Sequence, residues 1–228
     1  VAELIGGLRI ERIRENVAHV RAEIAAAVHR SPVTRAAQER SGVELLAAIK
    51  YVARDDLPLL AEAGIELVGE NRAQELRAKH ETHGALFEWD FIGQLQSRRV
   101  KEIVPYVRLI HSVASESALR ELDRHRALAR PELRILIEVN IAEERGKAGI
   151  EPDRVGEFIA RSPTPVAGLM TMPPLAAEPD DSRRWFALLR QLAEEHALEH
   201  LSMGTSQDYA VAVEEGATIV RIGTSLYT

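Results

Sequence analysis

Residues 44–52 read ELLAAIKYV: an acid, five apolar residues, then Lys50, Tyr51 and Val52. An apolar run this short, entered from a loop marked by Ser41-Gly42, fits a buried strand better than a helix. The residues just past the run separate two architectures. An open, doubly wound sheet usually has a glycine-rich turn directly after its first strand. Here the strand runs into Lys50-Tyr51-Val52 with no glycine. Further along, short apolar runs at 66–69, 89–92, 108–111, 134–139, 166–169, 200–203 and 218–222 alternate with charged, helical-period segments centred on 54–63, 71–82, 97–104, 115–129, 152–161, 181–197 and 206–215. Strand–helix alternation of this kind marks βαβ units and a parallel sheet. Eight such strands in 228 residues predict an α/β protein, a (β/α)8 TIM barrel, as one domain spanning 1–228. Upstream, Ile13, Val17, Val20, Ile24 and Val28 recur at spacings of three and four and predict an extra N-terminal amphipathic helix over 8–28. That helix is placed to cover the flank left by a short or missing last helix after strand eight.

Composition narrows the function. Hydrophobic residues at 46% and charged residues at 28% are globular proportions, which exclude disorder as the main state. A net charge of −6 offers no basic surplus for nucleic acid. With 4% aromatics there is little material for stacking on single strands. The absence of cysteine excludes disulfides, thiol catalysis and thiolate-bound metals. No apolar run approaches the roughly 18–20 residues that span a bilayer, and the first residues are charged and periodic, unlike a signal peptide. A cytoplasmic protein is expected, with neither membrane nor nucleic acid as partner. His80-Glu81-Thr82-His83 is one residue short of a zinc-binding helix and reads as a solvated helix end, so no metal site is expected. GxGxxG, P-loop and GxSxG patterns are absent. The pairs Asp55-Asp56 and Asp180-Asp181 read as helix capping.

Only four of the 29 basic residues are lysine: Lys50, Lys79, Lys101 and Lys147. Lys50 shares a strand face with Leu46 and Ala48. If that face lines the barrel, its ammonium sits at the rim of a partly dry cavity, where desolvation favours the neutral amine. A neutral amine there is a Schiff-base nucleophile, and barrel active sites gather at the carboxyl ends of strands. The plainer alternative is a lysine snorkelling at a strand end. Lys79 and Lys101 lie in charged helical segments and are expected to be solvated. Lys147, in the loop after strand five, is the second choice.

A second signal comes from Leu201–Ser206 (LSMGTS) after strand seven and Arg221–Ser225 (RIGTS) after strand eight. Small and hydroxyl residues after these two strands are what a barrel uses to hold a phosphate. Glycines let backbone N–H groups approach the oxygens, and hydroxyls add donors. A Schiff-base lysine with a phosphate site suits a sugar-phosphate aldolase or pyridoxal 5′-phosphate. Arg221 bears on the choice: facing a pyridine nitrogen, a guanidinium keeps that nitrogen unprotonated, because it does not give up its proton. Otherwise Arg221 pairs with a carboxylate at the rim.

The stretches LLAAIK (45–50), VGENRAQE (68–75), FIGQLQS (91–97), HSV (111–113), VNI (139–141) with Lys147 and Gly149, GLMTMPP (168–174), LSMGTS with Asp208, and RIGT (221–224) occur in this order across residues 45–224. In these the chain resembles the pyridoxal phosphate homeostasis proteins, single-domain relatives of the alanine racemase barrel. The resemblance implies a (β/α)8 barrel holding pyridoxal 5′-phosphate as an aldimine on Lys50. It implies that Ser206, Gly223 and Thr224 hold the phosphate, with Ser202 and Gly204 shaping that loop. Arg221 would face the pyridine nitrogen, Asn71 and His111 would line the pocket from the carboxyl ends of strands two and four, and Met203 would pack near the ring. The implied role is to carry and buffer the cofactor in intracellular vitamin B6 homeostasis, as a monomer, with cofactor-free pyridoxal-phosphate enzymes as recipients. The chain departs from the family at several positions. Ile49, Tyr51 and Val52 stand where Ser, Thr and Lys are usual. Thr205 and Gln207 replace Met and Ser, Ala114 replaces Asp, and Gly146 replaces Ser.

No robust catalysis is implied. Two-base racemisation needs a group on each face of the substrate α-carbon, and the racemases bring one, a Tyr, from a second domain. The sequence runs only four residues past Thr224, and such a domain is not expected. The alternative is a weak pyridoxal-phosphate-dependent amino-acid racemase using Tyr51 or Tyr227. A third reading, a Schiff-base aldolase without cofactor, fits Lys50 and the phosphate loop but leaves Arg221 unexplained.

Overall fold

A computed structural model of the chain describes residues 4–33 and 42–228; of the loop expected around Ser41-Gly42, Ser41 lies outside them. Eight parallel strands, β1 (Glu44–Ala48), β2 (Leu67–Glu70), β3 (Glu88–Phe91), β4 (Leu109–Val113), β5 (Arg134–Glu138), β6 (Val166–Met170), β7 (His200–Thr205) and β8 (Ile219–Ile222), close into a barrel in sequence order. Pairing of β1 with β8, with Leu46 beside Arg221 and Ala47 beside Ile222, completes the ring. All eight expected strands are present, shifted by one or two residues at their ends.

The strands alternate as a barrel requires. Leu46, Leu67, Leu109, Leu136, Ala167, Met170 and Ile219 point inward and pack together with Ile92. Their neighbours, among them Ala47, Val68, Trp89, Ile110, Ile137 and Leu201, point outward into one continuous layer beneath the helices. Each large side chain fully buried there contributes roughly 1.5–3 kcal/mol.

Helix α1 (Ile10–Arg30) stands before the barrel, as its periodicity predicts, and buries Ile13, Val17, Val20, Ile24 and Ala27. After β8 the chain makes one 3-10 turn, Thr224–Leu226, and α1 covers that flank. The Asn16 amide donates to the carbonyls of Leu226, at 3.3 Å, and Thr228, at 3.0 Å. The connecting helices are α2 (Leu57–Glu62), α3 (Ala73–His83), α4 (Val100–Ile103), α5 (Glu116–Arg124), α6 (Val155–Arg161), α7 (Arg183–Glu195) and α8 (Tyr209–Glu214). Asp181 caps as expected, accepting the Glu178 N–H at 3.1 Å, whereas no side-chain cap from Asp56 forms ahead of α2.

One expectation about α3 holds in part and one fails. Residues 80–83 are the helix end, with Glu81 and Thr82 exposed, but His80 is half-buried and packs against Trp89 and Tyr106, with ring centroids 5.4 and 5.0 Å away. Lys79 is not solvated: it is only 2% exposed and pairs with Glu70 at 2.7 Å. The charged surroundings of Lys79 in the sequence concealed a partner nine residues earlier, on the strand that the helix covers.

Candidate functional site

The site residues named from the sequence fall into two levels of the barrel. Lys50, Asn71, Ser206, Gly223 and Thr224 lie at the mouth, just past the carboxyl ends of their strands. Ser202, His111 and Arg221 lie within the strands below it.

At the mouth, β1 ends at Ala48, so Lys50 is not the last strand residue but the first corner of a turn. The Ile49 carbonyl accepts the Val52 N–H at 3.0 Å and closes that turn. Lys50 is exposed rather than held in a dry cavity, and its ammonium lies 4.9 Å from the centre of the Tyr51 ring. Beside it, past the ends of β7 and β8, two donors converge on one hydroxyl. The Ser206 Oγ accepts the Gly223 N–H at 3.4 Å and the Ser225 hydroxyl at 3.0 Å. The nearby Asp208 carboxylate is engaged by the Thr205 N–H at 2.8 Å and the Thr205 hydroxyl at 3.2 Å. Ser225 belongs to the RIGTS segment read from the sequence as a phosphate loop, although the resemblance gave it no role of its own. Past β2, the strand next to β1, the side-chain oxygen of Asn71 is buried without a hydrogen-bond partner among the described residues. A cleft of about 540 Å³ borders the same end, lined in part by Lys147, Met172, Gly204 and Thr205. Lys147 itself is paired with Glu144.

Gly204 shapes the loop for a steric reason. Its φ is +91°, in the region that favours glycine, and a Cβ there would lie 2.6 Å from that of Ala212 on α8. This bend also affects Met203. The strand alternates, so Ser202 points in and Met203 points out, where it is fully buried in the layer beneath the helices. Met203 therefore does not pack at the mouth, contrary to the expectation that it lies near a bound ring.

Below the mouth runs a connected set of polar side chains. Arg221 is 7% exposed, and its guanidinium donates to the Ser202 carbonyl at 2.8 Å, the Ser202 hydroxyl at 2.5 Å and the Thr171 carbonyl at 2.9 Å. It pairs with backbone and hydroxyl oxygens rather than a rim carboxylate. Burial pushes its pKa down to about 10, partly offset by the Glu138 carboxylate, and it remains charged at neutral pH. The Ser202 hydroxyl lies 2.8 Å from His111 Nδ1, and His111 Nε2 lies 3.1 Å from Asp90 Oδ2. His111 is wholly buried, because β4 runs two residues past it; it supports Ser202 from inside rather than lining the pocket. Burial holds its pKa below the usual imidazole value. Arg108 then bridges Asp90, at 3.0 and 3.2 Å, and Glu44, at 2.9 and 2.7 Å, at the amino end. Asp90, Arg108, Glu44 and Glu138 carried no motif, and only strand parity could have pointed to them.

A closed (β/α)8 barrel with a lysine after its first strand and a hydroxyl and amide cluster after its last two defines a class. Residues 8–228 match the alanine racemase N-terminal domain family. The pyridoxal phosphate homeostasis protein of Aquifex aeolicus is 40% identical over 204 residues, 85% of this chain and 90% of that protein. The protein of the same description from Vibrio cholerae is 33% identical over 229 residues, 94% of this chain and 95% of its own length. The structure of PipY from Synechococcus elongatus with PLP bound superposes with a TM-score of 0.76 at 28% identity, covering 95% of this chain and all of PipY. Within the alanine racemase N-terminal domain class, the chain belongs to the pyridoxal phosphate homeostasis protein family.

Proposed function

We propose that this protein binds pyridoxal 5′-phosphate at the carboxyl end of its barrel and acts as a carrier and buffer of that cofactor in vitamin B6 homeostasis, delivering it to enzymes that lack it. The observation that carries the proposal is the cluster of Ser206 Oγ, Gly223 N–H and Ser225 Oγ at the joined ends of β7 and β8, one strand from Lys50. These are neutral donors, open to solvent, with the nearby Asp208 turned to its own backbone. Such a set fits a phosphate monoester. The unpartnered Asn71 oxygen, after β2 on the other side of Lys50 from the cluster, fits a polar ring substituent that donates to it.

When bound, the cofactor supplies an aldehyde that condenses with an amine and releases water. Lys50 supplies that amine, and its exposure leaves it free to approach. Ser206, Thr224, Ser225 and the Gly223 N–H hold the phosphate. Arg221, fixed by the Ser202 and Thr171 carbonyls, would offer a cation to the ring nitrogen and would leave it unprotonated. An unprotonated ring is a weak electron sink, which suits a carrier that must hold a reactive aldehyde without consuming metabolites.

The racemase reading needs a base opposite Lys50. Tyr227 is buried with its hydroxyl donating to the Ala48 carbonyl at 3.2 Å, and burial pushes its phenol up, away from proton exchange at neutral pH. Tyr51 adjoins Lys50 on the same turn. Neither arrangement favours two-sided proton transfer. Borohydride reduction of the coloured complex and peptide mapping together test the proposal, with the pyridoxyl mass expected on the peptide containing Lys50. A principal label on Lys147, or no visible complex, overturns it. Interconversion of L- and D-alanine by the purified chain would favour the racemase.

A further inference from the structure

Behind the turn that carries Lys50, three buried side chains grip the backbone. Glu70, the last residue of β2, is fully buried; its Oε1 accepts the Asn71 N–H at 2.7 Å and its Oε2 accepts Lys79 Nζ at 2.7 Å. The Lys79 ammonium donates a second bond, also 2.7 Å, to the carbonyl of Ile49. Tyr227 donates to the carbonyl of Ala48. The two carbonyls immediately before Lys50 are thus each held by a side chain from a different element: α3 for Ile49 and the segment after β8 for Ala48. The Ile49 carbonyl also closes the turn through Val52, and the Tyr51 carbonyl accepts the Ile5 N–H at 2.9 Å. Lys50 is exposed at the corner of a turn whose backbone is tied on both sides.

Stability alone is a weak reason for this arrangement. A buried ion pair is often no more stabilising than apolar residues of the same volume. Directing the cation at a specific carbonyl gives it a geometric role. A long, exposed lysine reacts faster with a bound aldehyde when its anchor point is fixed, because less freedom remains to be lost on reaching the reacting geometry.

We infer that Glu70, Lys79 and Tyr227 are positioning residues for Lys50, acting through the Ala48 and Ile49 carbonyls to hold the 49–52 turn in the geometry that presents its amine. This rests on the reading of Lys50 as the attachment residue.

The test separates covalent linkage from recognition of phosphate and ring. Tyr227→Phe removes one tie without changing volume. The double variant Glu70→Gln/Lys79→Met removes the other without leaving an unpaired buried charge. Pyridoxal 5′-phosphate is added, samples are quenched with borohydride over time, and the mass fixed on the Lys50 peptide gives the linkage rate. Pyridoxine 5′-phosphate, which has no aldehyde, reports non-covalent affinity. We expect linkage to slow about tenfold in the double variant and about threefold in Tyr227→Phe, as a displaced reacting group implies, with pyridoxine 5′-phosphate affinity within about twofold of wild type. Leu122→Ala on α5, remote from β1 and chosen for a comparable fall in Tm, serves as the control and should link at the wild-type rate. Unslowed linkage in both test variants overturns the assignment, as does slowing no greater than that of Leu122→Ala. If the double variant fails to fold, Tyr227→Phe alone still decides. Wild-type label away from Lys50 overturns the attachment reading itself and this inference with it, whereas normal wild-type labelling with unslowed variants overturns the positioning alone.

Discussion

The two ends of the barrel use polar residues in opposite ways. At the amino end, Arg108 closes paired hydrogen bonds onto Glu44 and Asp90, and Asp90 in turn holds His111. Opposing charges there consume one another. At the carboxyl end, Lys50, Ser206, Thr224 and Ser225 are exposed, and the buried Asn71 oxygen has no partner among the described residues. The contrast lies in exposure: at the amino end ion pairs close off the charges, and at the mouth Lys50 and the hydroxyls stay in reach of solvent. Arg221 lies between the two sets, buried and tied to the interior by Ser202 and Thr171.

Four experiments put this division between the ends at risk. Lys50→Ala should abolish covalent attachment completely, with a stability change under about 0.5 kcal/mol as for an ordinary surface substitution. Borohydride mapping and urea denaturation check the two halves; a large loss of stability would mean that the mouth also supports the fold. Arg108→Met should do the reverse. Leaving Asp90 buried without its cation costs about 3–5 kcal/mol, seen as a lowered urea midpoint, while cofactor still binds to the folded fraction. Ser206→Ala should raise the dissociation constant for pyridoxal 5′-phosphate about tenfold or more, since hydrogen bonds to charged groups contribute roughly 1.5–3 kcal/mol. Binding of pyridoxal, which lacks the phosphate, should be unaffected by that change, and an equal loss for both ligands would remove the phosphate role.

The smallest effect concerns pH. Burial lowers the pKa of His111 in the folded chain, so below about 6.5 the unfolded chain takes up a proton that the folded one does not. Stability should therefore fall as pH drops from about 6.5 toward the lower folded value, with a slope of up to about 1.4 kcal/mol per pH unit from this one group. His80 and His200 are shifted in the same direction and add to the slope. His111→Asn should reduce the dependence by up to one proton in denaturant titrations between about pH 5 and 7. Equal slopes in both proteins would show that His111 does not contribute.

What could be read along the chain was local. Strand–helix alternation marked all eight strands, and the order of Lys50, Ser206 and Gly223-Thr224 along it located the mouth, because a barrel brings successive strand ends to one side. Contacts set by closure could not be read that way. Arg108 meets Glu44 across 64 residues and His111 meets Ser202 across 91, and neither separation has a sequence signature. Lys79 looked like a surface lysine because its helix is charged overall, although its own position falls on the buried face with Ala73 and Leu76. Met203 was assigned to the ring by its neighbours in the motif, whereas alternation from Ser202 turns it outward.

The pairing of β8 with β1 also bears on how the protein is made. The Tyr227–Ala48 bond joins residues 179 apart, and the Asn16–Leu226 bond joins residues 210 apart. Such long-range closure is slow, because loop entropy is lost before the contacts that reward it can form. On the ribosome, the strand that leads to Lys50 emerges early and waits with one edge unpaired until β8 arrives. The residues beyond β7 and β8 emerge after the other six strands. The nascent chain can thus expose the Lys50 turn before the mouth around it exists, and the mouth becomes complete only once β8 closes the barrel.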